Sequence, residues 1–213
     1  MMRRRFLAGL AFTAGLMLST ASGSALAQDR SVVVVKVVNF SCPVCRASET
    51  QDNAVINAAD RTGGQFVYAP IPSEAGEFAR EKVYYAVRKQ GRDAERRVRE
   101  SLYKGAQDAN QPFLDVTQVI EWLKDDVTDT PIDWVQLTAD AKSEDAARAL
   151  AKAANLTRTA GAQILPTYIL VQNNATVGAL DINTAGKGTS LLALRDEVIN
   201  RIGQLASDPK AKD

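Results

Sequence analysis

The sequence predicts an α/β fold in which a block of helices is set between two groups of strands. Three observations carry that expectation. Ser31 to Phe40 is a nearly continuous β-branched and apolar run, as suits a central strand covered on both faces. A Cys-x-x-Cys, Cys42-Pro43-Val44-Cys45, follows it directly at the opening of a helical stretch. Beyond that stretch, strand signals sit at the two ends of the chain and helix formers fill the middle.

Taken in order, the first 27 residues read as a targeting segment. Arg3, Arg4 and Arg5 form a charged start, and Phe6 to Leu18 is apolar but too short for the roughly 20 residues of a membrane span. Ala25-Leu26-Ala27 is a small-x-small cleavage site, so cleavage is expected after Ala27. Arg3 to Leu7 fits the twin-arginine export pattern, and a general secretory signal has the same look. Either route places the chain outside a bacterial cytosol, where disulfides persist.

The expected mature chain, 28–213, is one domain long enough for a full hydrophobic core. Losing Met1 to Ala27 removes three arginines and no acids, so the formal charge falls from +1 to −2. No basic footprint for nucleic acid is implied.

Ala47 to Ala59 continues the helix opened by the cysteines, and Gly63-Gly64 ends it. Gln65 to Ile71 is a second short strand stopped by Pro70 and Pro72. From Glu77 to about Leu156 no strand is evident. Glu77 to Gln90, Asp93 to Lys104 and Val116 to Lys124 carry apolar residues at turn spacing, and Ser143 opens a helix through Ala154. Pro166 to Gln172 and Thr176 to Asp181 are strands of a hairpin turning at Asn173-Asn174. Ser190 to Leu205 is a closing amphipathic helix, and Ser207 to Asp213 a frayed tail.

The two cysteines are the only ones in the chain. A Cys42 at a helix N-terminus meets unpaired backbone N–H groups and the positive end of the helix dipole, which favour its thiolate. Cys42 is therefore the expected nucleophile. Cys45, almost one turn on, can close a Cys42-Cys45 disulfide or resolve a mixed one. Pro43 suits the first helical turn, where its missing N–H costs nothing. An inert staple is the bland alternative, but so small a loop removes little unfolded-state entropy.

The order strand, Cys-x-x-Cys helix, strand, helical block, hairpin, helix resembles the thioredoxin superfamily, and most closely its DsbA-like periplasmic thiol-disulfide oxidoreductases. Asn39-Phe-Ser-Cys-Pro-Val-Cys45, the segment of about Ser73 to Leu156, and Ile164-Leu-Pro-Thr-Tyr-Ile-Leu170 carry the resemblance. It implies a thioredoxin-like fold with a helical subdomain, about 73–156, inserted between the second and third core strands. It also implies exported substrate proteins, a membrane redox partner, a monomer, and no metal or organic cofactor, since the exchanged electrons reside in the cysteines. In that family the proline opening the third core strand is cis and faces the disulfide; here that role falls to Pro166, with Leu165 backbone groups pairing with substrate. Spacing alone favours an ordinary trans proline starting an edge strand, because cis is a minority state, and the resemblance reverses that preference.

Two departures stand out. Strongly oxidising relatives carry His between the cysteines, whereas this chain has Val44 and no histidine anywhere, so one support for the Cys42 thiolate is missing. Six residues before Cys42, where many members place a buried carboxylate, stands Lys36. Lys36 either points under the site and tunes the cysteines, or reaches solvent as lysine readily does.

Other groups carry less. Glu74, Glu77 and Glu81, or Asp125, Asp126 and Asp129, are spaced acids more typical of solvated faces than of metal sites. Of Tyr84 and Tyr85, a helix is expected to bury one and expose the other. The alternatives to a DsbA-like oxidase are a reductase or isomerase using the same residues, or a soft-metal module holding Cu(I) between the two thiolates.

Overall fold

The structure, a computed structural model, describes residues 31–72, 78–184 and 190–207. The expected signal segment, Glu74, Glu77 and the tail after Ser207 lie outside the described residues.

Four strands form one sheet in the order β2-β1-β3-β4. β1 (Val33–Val38) runs parallel to β2 (Gln65–Pro70) and antiparallel to β3 (Thr167–Gln172), which pairs antiparallel with β4 (Ala175–Leu180). β1 is central, which is why it is valine throughout but for Lys36: both of its faces are covered. The β3–β4 hairpin turns on Asn173 and Asn174 at φ 52° and 61°, the left-handed conformation that a two-residue loop requires and that asparagine tolerates.

Between β1 and β2 the chain is helical, but not as one continuous helix. α1 (Pro43–Ser48) gives way to a 3-10 turn at Glu49–Gln51, and α2 (Asp52–Arg61) follows. The break has a local cause. Ser48 Oγ and Thr50 Oγ1 donate to the carbonyls of Cys45 and Ala47, at 2.6 and 3.0 Å, and compete with the regular ladder. α2 ends where Gly64 passes the backbone of Val32: a Cβ there would lie 2.2 Å from the Val32 carbonyl oxygen.

Five helices lie between β2 and β3: α3 (Ala79–Val87), α4 (Arg92–Gln107), α5 (Val116–Asp126), α6 (Trp134–Ala141) and α7 (Glu144–Thr159). α6 was not visible in the sequence pattern. It buries only Leu137 and Ala141, while Val135 is 83% exposed and blurs the periodicity. α3 sits inside the block, so Tyr84 and Tyr85 are both buried, and the expectation of one exposed face is corrected. The block packs over Val35, Val37 and Ile169 of the sheet. On the other face α2 and α8 (Leu191–Ser207) cover Val34 and Leu170 with Val55, Leu194, Val198 and Ile202. Each such side chain contributes roughly 1.5–3 kcal/mol by leaving water. No helix of the described residues is long and apolar enough to cross a membrane.

Candidate functional site

The site is built where β1 ends and α1 begins. Cys42 is the N-cap of α1, with φ −91° and ψ 109°, and its sulfur accepts the Cys45 N–H at 3.1 Å. A capping residue takes the otherwise unpaired donors of the second and third helical positions, here Val44 and Cys45. Pro43, at the first position, has no donor to leave orphaned. The loop ahead of the cap is fixed by Asn39. Its carbonyl accepts the Cys42 N–H at 3.0 Å, its side-chain oxygen accepts the Ser41 N–H at 2.7 Å, and its amide donates to the Ile71 carbonyl at 2.7 Å.

Both cysteines are free thiols in this structure, and they differ sharply. Cys42 is half-buried and held down to about 6 by the hydrogen bond from the Cys45 thiol, helped by the Val44 and Cys45 backbone N–H groups and by the Lys36 charge, against the opposing effect of burial. Cys45 is fully buried. Donating to the Cys42 sulfur and shielded from water, its thiol is pushed far above the ordinary range. Val44, flagged as a tuning residue, points its side chain outward at 42% exposure and acts through its backbone.

Leu165 and Pro166 come from the other end of the chain, 123 residues away, to face the cap. The Leu165-Pro166 peptide bond is cis, and the Leu165 carbonyl lies 3.9 Å from the Cys42 sulfur.

Lys36 resolves to the buried alternative, with none of its surface exposed. Its Nζ donates at 2.7 Å to both oxygens of Asp52, a residue of α2. The hydroxyls of Tyr68 and Tyr168 donate to the same carboxylate, Tyr168 at 3.1 Å. Burial pulls the Lys36 ammonium below its ordinary value and the Asp52 charge opposes that pull, while burial pushes both tyrosines up. Sequence reading missed Asp52, although a signal was present: it lies three residues before Val55 and seven before Ala59, on the stripe that α2 buries. A cleft of about 710 Å³ lined by Glu49, Asp52, Tyr68 and Arg99 reaches this floor from the side.

Among the described residues no group of three or more Cys, Asp, Glu or His is placed to hold a metal ion.

No protein-family model and no curated protein matches the chain. Solved structures do. The chain is similar to Pseudomonas aeruginosa DsbA at 18% identity and a TM-score of 0.64, covering 86% of this chain and 90% of that one. The fold is that of the DsbA proteins. The oxidoreductase NmDsbA1 from N. meningitidis matches at 13% identity and TM-score 0.66, over 86% and 88% of the two chains. BdbD from Bacillus subtilis matches at 19% and 0.56, over 84% and 90%. A DsbA fold is a thioredoxin-like sheet with an inserted helical domain, and the five helices between β2 and β3 are that insertion.

Proposed function

We propose that the protein is a thiol-disulfide oxidoreductase that exchanges disulfides with exported substrate proteins, acting as a DsbA-like oxidase. The observation that carries this is the asymmetry of the pair: a thiol held down to about 6 at the rim of α1, beside a buried partner held high.

In the oxidising direction a substrate thiolate attacks the Cys42 sulfur of the Cys42-Cys45 disulfide. The S–S bond breaks, and Cys45 leaves as a thiolate that takes up a proton. A second substrate thiolate then attacks the substrate sulfur of the mixed disulfide and expels Cys42. Two electrons have passed from the substrate to the cysteine pair. Cys42 is a good leaving group because its thiolate is stabilised, and the same stabilisation favours the reduced protein, making the disulfide oxidising. Leu165 and Pro166 offer the surface against which the substrate peptide lies. The charge of Lys36 supports both thiolates from below, and the side cleft gives the floor a path for protons to and from water. The exchanged electrons reside in sulfur, so the residues present need no cofactor. A membrane redox partner would re-oxidise the pair, and the segment 1–27 would direct export and be cleaved after Ala27.

The test is trapping. Cys45→Ala should accumulate mixed disulfides between Cys42 and thiol-bearing peptides, and Cys42→Ser should abolish exchange. Equal alkylation of the two cysteines, with no trapped complex from Cys45→Ala, would sink the proposal.

A further inference from the structure

The C-terminal end of α4 reaches out of the helical insertion and grips the loop that carries Cys42. Gln107, the last residue of α4, donates through Nε2 to the Phe40 carbonyl at 2.8 Å and to the Cys42 carbonyl at 3.2 Å. Asp108 beside it accepts both arms of Arg46, at 2.7 and 3.0 Å. One turn earlier, the buried Tyr103 ring meets the edge of Phe40 with centroids 5.2 Å apart. Three residues at the end of α4, Tyr103, Gln107 and the C-capping Asp108, thus contact the segment Phe40 to Arg46 from the helical insertion.

We infer that Gln107 is a positioning residue for the nucleophile, and that the inserted domain sets the reactivity of Cys42 through it. This rests on the oxidoreductase proposal above. The argument is conformational. A capping thiolate accepts the Cys45 N–H only while the Cys42 backbone holds its extended, non-helical angles. Those angles are held from one side by the Asn39 carbonyl on the Cys42 N–H, and from the other by whatever fixes the Cys42 carbonyl. That carbonyl also accepts the Arg46 N–H at 3.2 Å, a long bond at the frayed first turn of a six-residue helix. Gln107 is the second donor, and it ties the same carbonyl to that of Phe40 two residues back. Without it, only the Asn39 carbonyl and the Pro43 ring fix the cap. Pro43 keeps Cys42 out of helical angles, but Cys42 is free to drift within the extended region and take its sulfur away from the Cys45 N–H.

Gln107 touches neither sulfur, so its effect must be read on the thiolate and not on activity alone. The experiment titrates the Cys42 thiolate of the reduced full chain by its absorbance and by iodoacetamide rate, in wild type, Gln107→Leu and Gln107→Glu. Thermal melts run alongside. Gln107→Leu should raise the titration midpoint by about one pH unit, the size of one lost neutral hydrogen bond. Alkylation at pH 6 should slow several-fold. Gln107→Glu should behave like Gln107→Leu at neutral pH, where a carboxylate would face two carbonyls. Midpoints equal to wild type in both variants would overturn the inference, whatever the melts show. Should Gln107→Leu fail to fold, the midpoint of Gln107→Glu decides alone. If the wild-type midpoint itself lies near 9, the oxidoreductase proposal fails first, and the comparison among variants tells the two failures apart.

Discussion

The mouth and the floor of the site are built from different materials. At the mouth, Cys42 is held down first by the Cys45 thiol and then by backbone, the Val44 and Cys45 N–H groups at the cap, with Val44 itself turned to solvent. At the floor, the charges belong to buried side chains, Lys36 and Asp52, with two tyrosine hydroxyls donating to the carboxylate. Backbone donors come with the helix and survive changes of side chain. A buried ion pair tolerates no partial change, because removing one partner strands the other in a low-dielectric interior. Substitution should therefore cost stability at the floor and redox poise at the mouth.

The largest effect is expected at the floor. Asp52→Leu leaves Lys36 buried without its counter-charge and should destabilise the fold by about 3–5 kcal/mol, read by urea denaturation. The double variant Lys36→Met with Asp52→Leu should recover part of that loss, since an apolar pair removes the stranded charge while the Tyr68 and Tyr168 hydroxyls still lose their acceptor. A double variant no more stable than Asp52→Leu alone would mean that the pair does more than neutralise itself.

The next effect belongs to the mouth and depends on pH. Cys42 is held down to about 6 in the folded reduced protein, from an ordinary thiol value of 9.0. A depressed pKa adds stability that is fully present above the unfolded value and is lost as pH falls through the folded one. The oxidised protein has no thiolate and lacks this dependence. The melting temperature of the reduced form, relative to the oxidised form, should accordingly climb from pH 6 to 9 and lie flat below 6. A difference unchanged across that window would remove the thiolate from the account.

How far these two regions could be read in advance follows from their materials. The mouth was legible because it is local: Cys42, Pro43 and Cys45 lie within four residues, and a strand leading into a helix makes a cap from them. The sheet was legible too, since a run of valines and the Asn173-Asn174 turn are strong short-range signals. The cis bond before Pro166 was available only through resemblance, because proline spacing alone favours trans. The floor was half-legible. Lys36 stood out at its position, but its partner is 16 residues on in another element, and pairing across elements leaves no periodic trace. Gln107 was invisible, because an exposed-looking amide at a helix end resembles any other. α6 hid because two buried positions in eight residues make no stripe.

The smallest effect would sharpen the contrast. Val44→His places an imidazole at the mouth without touching the floor, and should lower the Cys42 pKa below its present value and make the disulfide more oxidising. One pKa unit is about 1.4 kcal/mol, or roughly 30 mV for the two-electron couple. Stability of the reduced protein to urea should change little. If neither pKa nor potential moves, the backbone donors already saturate the thiolate, and side chains at this position do not set the poise.

The central claim is that the cap, the Cys45 thiol together with the backbone donors of α1 and unaided by histidine, makes Cys42-Cys45 an oxidising pair. Equilibration of the protein against defined ratios of reduced and oxidised glutathione tests it most directly. The account predicts a reduction potential above roughly −200 mV, more oxidising than the −270 mV or so of a reducing dithiol such as thioredoxin. A value near or below about −250 mV would contradict it and make the pair a reductant, its thiolate unsupported where the geometry says it is held.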